Sequence, residues 1–374
     1  MTKKRDLIWR WAWCGGLALW AWSSPLMGQE GLAGISNYVP PEESGWINVK
    51  TLGVKGDGVT DDTEAFRSFK PANIHSVGTF YFPNGTYLLS DTLYLGNKRL
   101  ILQGESRDGV VLKLKANSPG FGDVKKPKPF VSTHGPFMDP KSAMGQAFKN
   151  SFYNMTIEVG AGNPGAVALN YLANNQGTIE NVTFKGQGKA GLGLVTNWPG
   201  PSLIRNVLIE GFDIGVWSLI GQYSMTFENL TLRGQKEFGI FNRGQALFFR
   251  GLKSENSVPA IRNTTPVTNV VVIDSELSGG SGGAAIDSTE MSKSDRYTFQ
   301  QLAPGLFLRN VRTSGYAQAL AFNAKGKTEQ LPGGVVEEFS STEAARLFST
   351  VSDLPEPASR GRSRGGLLVR RPLG

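Results

Sequence analysis

Three acids, Asp213, Glu237 and Asp287, and two aromatics, Trp217 and Phe241, are the residues of this 374-residue chain whose types and spacing suggest chemistry. Two carboxyl groups ~5–5.5 Å or ~6.5–9.5 Å apart can cleave a glycosidic bond, one giving a proton and the other acting as nucleophile or base. Asp287 is the best-placed single acid; Glu237 or Asp213 could complete the pair, although no local motif joins them. Trp217 and Phe241 offer flat apolar faces to the C–H face of a sugar ring, with Trp198 in a loop nearby. Arg243 and Arg262 offer forked donors to a carboxylate or sulfate. They keep a second chemistry open, proton abstraction beside a neutralised uronate, as in a lyase.

What positions these residues is a repeat. Asn154-Met-Thr-Ile-Glu158, Asn181-Val-Thr-Phe-Lys185, Asn206-Val-Leu-Ile-Glu210 and Asn229-Leu-Thr-Leu-Arg233 share one pattern, continued loosely at Gly251, Asp274 and Asn310. The steps are 27, 25, 23, 22, 23 and 36 residues. Short alternating strands at that period, without helical spacing, mean a solenoid of β-coils. Each coil reads as three strands. The first follows a small residue, as in Gly215-Val-Trp-Ser-Leu219 and Gly239-Ile-Phe-Asn-Arg243; the other two flank the Asn, which turns the chain in the left-handed region. Each Asn amide is then expected to bond the Asn of the next coil, ~4.8 Å away.

This register accounts for most charges. The residue before the bend reads Glu180, Arg205, Glu228, Arg250; four after it reads Glu158, Lys185, Glu210, Arg233, Glu255. Both columns alternate in sign, so stacked neighbours attract and a one-coil slip would repel. They are read as structural ladders. On the first strands, the third residues are expected to point outward: Val167, Gly193, Trp217, Phe241, Arg262, Asp287. The fifth do also, ending at Arg243, Thr264 and Thr289. This mixed file is no ladder and reads as a glycan groove. The competing reading is that a long loop, 115–148, folds back over Trp217 and Phe241.

Upstream, Gly56-Asp57-Gly58-Val59-Thr60-Asp61-Asp62-Thr63 turns the chain into a short helix, with Asp61 as its cap, Glu64 as reciprocal partner, and Phe66 and Phe69 as its apolar face. A solenoid must shield its first coil, and a helix across the open end does so. This string, followed by Tyr81-Phe82-Pro83-Asn84-Gly85-Thr86-Tyr87, resembles the entry signature of the pectate-lyase-like superfamily, which includes rhamnogalacturonase- and epimerase-like proteins, some phage tailspikes and β-1,3-glucanases of two tandem β-helices. The resemblance covers about residues 46–325. It implies an all-β fold, a right-handed parallel β-helix, and an extracellular protein acting on polysaccharide along the outer face of the first strands. The entry motif is architectural in that group, so Asp57, Asp61 and Asp62 are not read as catalysts. Neither a clustered Asp run like the calcium site of some pectate lyases nor a polygalacturonase-type Asp set is present.

Composition bounds the rest. The formal charge is +8, but residues 1–28 contribute +3 and residues 360–374 contribute +5, leaving 29–359 neutral. A neutral body has no long-range field to gather phosphates, so nucleic acid is not an expected partner. Lys3-Lys4-Arg5 followed by the apolar Trp11–Trp22 reads as an export signal ending near Gly28, too short for a comfortable membrane span. Export removes the single Cys14 and suits a secreted or periplasmic bacterial protein with no stable membrane insertion. Two histidines, His75 and His134, make a zinc site unexpected, and no cofactor is called for. Gly186-Gln-Gly188-Lys-Ala-Gly191 precedes a strand rather than a helix and is not read as a dinucleotide site. Nothing fixes an oligomeric state.

The expected organisation is a signal at 1–28, an extension at 29–45, a β-helix at 46–345 and a disordered or truncated tail at 346–374. The expected function is a glycoside hydrolase acting on polysaccharide. A lyase, a non-catalytic glycan binder, and the inactive first half of a two-β-helix glycosidase remain alternatives.

Overall fold

Asn154, Asn181, Asn206 and Asn229 adopt φ of 53, 54, 53 and 54°, and Asp274 and Asn310 continue the file at 51 and 50°. Asn tolerates this left-handed backbone because its short amide bonds locally. The amides also bond across coils: Asn181 Nδ2 donates to Asn154 Oδ1 at 3.1 Å, Asn229 to Asn206 at 3.1 Å, and Asn310 to Asp274 at 2.9 Å. Gly251 takes the same place with φ 69°; a Cβ there would stand 2.6 Å from Asn229 Oδ1, so this coil carries no side chain in the file.

The computed structural model describes residues 39–341, apart from 69–77, 97–98, 136–146, 197, 220–223, 265–268, 290–304 and 325–326, together with the strand Leu367–Leu368. The expected signal at 1–28 with Cys14, residues 29–38 of the extension, Phe69, His75 and all but two residues of the tail 346–374 lie outside the described residues. No helix among the described residues is long and apolar enough to cross a membrane.

The described strands form a sixteen-stranded sheet and a ten-stranded sheet. Nearly all pairings are parallel and join one coil to the next, which is a β-solenoid of right-handed type. The two strands expected on either side of each Asn are one long strand that bends at it, such as Ser202–Gly211 and Ser224–Arg233. The larger sheet therefore carries two sides of every coil, and the smaller sheet carries the expected first strands. At the far end the direction reverses: Lys327–Pro332 pairs antiparallel with Gln318–Ala324, and Val335–Ser340 with Leu306–Thr313.

Inside, like stacks on like. Ile179, Ile204, Phe227, Phe249, Val272 and Leu308 form one buried column from the larger sheet. Leu192, Val216, Ile240, Ile261, Ile286 and Leu320 form another from the smaller. Phe227 and Phe249 stack at 4.7 Å. Burying each such side chain contributes about 1.5–3 kcal/mol. Outside, the charge ladders form as read. Lys185 faces Glu158 and Glu210 in register and meets Glu158 at 3.1 Å; Arg205 meets Glu180 at 2.7 Å; Arg233 meets Glu255 at 2.8 Å.

The entry motif works differently from its expected capping. The helix Thr63–Ser68 is present, and Asp61 accepts the Thr63 amide at 3.0 Å. Glu64 does not reach back, because Arg67 three residues on binds it at 2.6 Å. The buried carboxylate is Asp62, which accepts the amides of Lys55 at 2.6 Å and Gly56 at 2.9 Å and so ties the turn to the helix start. Phe66 packs against the core, its ring 5.9 Å from Phe82 and 6.4 Å from Tyr87.

Candidate functional site

The outer face of the smaller sheet carries two columns at the site. One runs Asn170, Gly193, Trp217, Phe241, Arg262, Asp287, Ala321, each residue in register with the next. Gly193 through Asp287 follow the expected file. Val167 does not belong to it. The strand Ala166–Asn170 sits three residues further along than its small-residue start suggested, so Asn170 faces Gly193. Val167 instead stands in the second column with Ala190, Ile214 and Phe238.

The columns meet in an apolar patch. Val167, Ala190 and Ile214 are buried, and Trp217, Phe238 and Phe241 lie half-buried against them. Phe238 and Phe241 have ring centroids 5.6 Å apart. A buried floor with three partly exposed rings on top presents apolar area to a flat ligand. The pattern of small residues did not reveal Phe238, since it precedes Gly239 and fell outside the strand as read.

One residue before these strands, the backbone stacks Lys189, Asp213 and Glu237: the Ile214 amide bonds the Lys189 carbonyl at 3.1 Å, and the Glu237 amide bonds the Asp213 carbonyl at 2.8 Å. Asp213 and Glu237 are therefore at strand entries rather than in free loops, on adjacent coils ~4.8 Å apart. Lys189 Nζ lies 2.9 Å from both Glu237 oxygens and 3.9 Å from Asp213 Oδ2. Burial and the neighbouring Glu237 charge raise the Asp213 pKa above its ordinary value, against the opposing pull of Lys189 and Lys236. A carboxyl group whose pKa is raised beside a second carboxyl group is a candidate acid for acid–base chemistry.

The structure separates the eight predicted residues. Asp213 and Glu237 share two strands with Trp217 and Phe241, four residues or ~13 Å further along, with Ile214 and Phe238 between. Arg243 follows Phe241 and is exposed. Asp287 lies two coils from Glu237, ~10 Å along the stack, and at the opposite strand end. It ion-pairs with Arg262, and its other oxygen accepts the Thr289 amide at 3.1 Å and hydroxyl at 2.7 Å. Trp198 lies past the strand Ala190–Leu194, packed against Ala147 and Leu172 in a separate cluster.

Stacked coils joined by parallel pairing in two long sheets define a class, the parallel β-helix proteins. This chain belongs to the rhamnogalacturonase A/epimerase, pectate lyase-like family, whose model matches residues 46–284. A 138-residue segment, 37% of the chain, is 25% identical to a glucan 1,3-beta-glucosidase of Cochliobolus carbonum and covers 16% of that protein. An alignment of 114 positions, covering 26% of the chain, is 34% identical to the non-secreted LysM effector LysM19 of Penicillium expansum and covers 8% of it. The chain thus spans only a small part of the length of these curated relatives. Among solved structures, a pectin methylesterase from Aspergillus niger aligns over 78% of this chain and 94% of its own, with 19% identity and a TM-score of 0.46.

Proposed function

We propose that this chain is a carbohydrate-active enzyme that hydrolyses a polysaccharide on the outer face of the smaller sheet. The observation that carries the reading is the carboxyl pair Asp213 and Glu237 at one end of two strands whose other end presents Trp217 and Phe241. The glycan lies with the strands, its rings on Phe238, Trp217 and Phe241. Asp213 gives its proton to the glycosidic oxygen as the C–O bond breaks, and Glu237 attacks the anomeric carbon. Water then displaces Glu237 and returns a proton to Asp213. Adjacent coils ~4.8 Å apart favour this retaining arrangement, which needs carboxyls ~5–5.5 Å apart, over an inverting one. Arg262, Asp287, Arg243 and Trp198 extend the binding surface on either side.

The related Cochliobolus protein is a glucan 1,3-beta-glucosidase, which makes β-1,3-glucan the first substrate to try. We also propose export, supported by the basic-then-apolar run from Lys3 to Trp22, and a capping role for the helix Thr63–Ser68, supported by the packing of Phe66 on the first coils. The test is incubation with β-1,3-glucan and a panel of other polysaccharides, following reducing ends and the ultraviolet absorbance of unsaturated sugars. Reducing ends without that absorbance, abolished in Asp213→Asn and Glu237→Gln, are expected. Unsaturated product would replace hydrolysis with elimination. Loss of activity in Asp287→Asn but not in Asp213→Asn would move the acid to the Arg262 end. A second reading, glycan binding without cleavage, is favoured by the tie of Glu237 to Lys189, and predicts retention on the glycan with no new ends.

A further inference from the structure

Lys189 makes an unusual choice of partner. Its side chain is only 17% exposed, and the residue stacked directly on it is Asp213. Yet its ammonium group passes that neighbour at 3.9 Å and binds both oxygens of Glu237, two coils away, at 2.9 Å each. In the charge ladders of the larger sheet, by contrast, each cation binds an acid on the coil next to its own. We propose that Lys189 is a positioning residue that makes the carboxyl pair unequal, holding Glu237 by both oxygens and leaving Asp213 with the single longer contact. This rests on the hydrolytic reading above and deepens it.

The geometry forces the asymmetry. Two carboxylates on adjacent coils repel, each favouring the protonated form of the other, and one cation shared equally would leave them equivalent. Here the shared cation is not central. Glu237 receives two short contacts, and Asp213 receives one long one beside a fixed negative neighbour. The charged groups that bear on Asp213 are Glu237, Lys189 and Lys236; burial and Glu237 favour its protonated form, and the two lysines oppose it. The bidentate contact also fixes the direction of the Glu237 carboxylate, so that its angle to a sugar on Phe238 and Trp217 is set before substrate arrives.

The test compares wild type, Lys189→Met and Lys189→Arg as full chains, each checked by circular dichroism for the wild-type fold. The Asp213 carboxyl is titrated by carbon NMR, which needs no activity. Its midpoint is expected to move upward in Lys189→Met, where the opposing cation is gone, and to return in Lys189→Arg. In β-1,3-glucan hydrolysis, Lys189→Met is expected to lower kcat at least ten-fold and shift the pH–activity profile toward alkaline pH. KM should hold, since the aromatic face carries binding, and Lys189→Arg should restore the profile. An Asp213 midpoint unchanged in Lys189→Met overturns the proposal, as does a normal pH profile in an active, folded Lys189→Met. A shifted midpoint in a protein that cleaves no glycan even as wild type overturns the hydrolytic reading instead.

Discussion

The two sheets share the same coils but use their outer faces differently. On the larger sheet three columns hold one kind of residue or two alternating signs: Asn on Asn at the bend, and Glu on Lys or Arg on either side of it. On the smaller sheet one column changes chemistry along its length, from Gly193 to the aromatics Trp217 and Phe241 and then to Arg262 and Asp287. A column that repeats is solving the problem of stacking, because the same contact serves every coil. A column that does not repeat is not explained by stacking alone, although Arg262 and Asp287 do pair within it. The comparison predicts that substitutions on one face change stability and substitutions on the other change function.

The largest expected effect is on the smaller sheet. Asp213→Asn should lower kcat on the cleaved glycan by about 10²–10⁴-fold, the usual worth of a general acid, without loss of stability in urea. Next is the larger sheet: Asn206→Leu puts a branched side chain at φ 53° and removes the acceptor of Asn229 Nδ2. It should cost about 2–3 kcal/mol of unfolding free energy while kcat holds. Trp217→Ala should weaken glycan binding about ten-fold, measured by affinity electrophoresis. Arg205→Glu sets three acids in a row at Glu180, Arg205 and Glu228, and should cost up to about 1 kcal/mol, less at high salt.

The smallest effect distinguishes the faces by sign. Burial pushes the Glu158 carboxyl up, but hydrogen bonds and charge from Lys113 and Lys185 outweigh it and hold the pKa below the ordinary value. Glu158 therefore stabilises the fold above the ordinary carboxylate pKa, and the contribution is lost as pH falls through its lowered value. The Asp213 pKa is raised, so its contribution is complete below the ordinary value and is lost as pH rises through the folded one. In urea midpoints against pH, Glu158→Gln should destabilise at neutral pH and not in acid, and Asp213→Asn should stabilise at neutral pH. The same sign for both would erase the contrast.

The repeating face was the legible one. Asn154, Asn181, Asn206 and Asn229 are visible because stacking imposes one solution on successive coils, and the alternation of Glu180, Arg205 and Glu228 carries the register in the sequence itself. The file from Trp217 to Asp287 followed from that register. Val167 was misplaced because the start of its strand was read from small residues, and neither Gly nor Ala marks a strand start by itself. Lys189 and Phe238 were missed for a related reason: both sit just ahead of the strands as read, where the period gives no guide. The pairing of Lys189 with Glu237 spans 48 residues and two coils, a choice of rotamer that no period encodes.

Each coil of such a stack touches only its two neighbours, so loosening begins at the extremities and travels inward one layer at a time. The strands that carry Asp213, Trp217, Glu237 and Phe241 have described coils on both sides, from Phe130 before them to Phe339 after them. The end coils act as sacrificial layers. Amide hydrogens should exchange fastest at the two ends and slowest near Val216 and Ile240, so a chain already fraying still holds these strands in order.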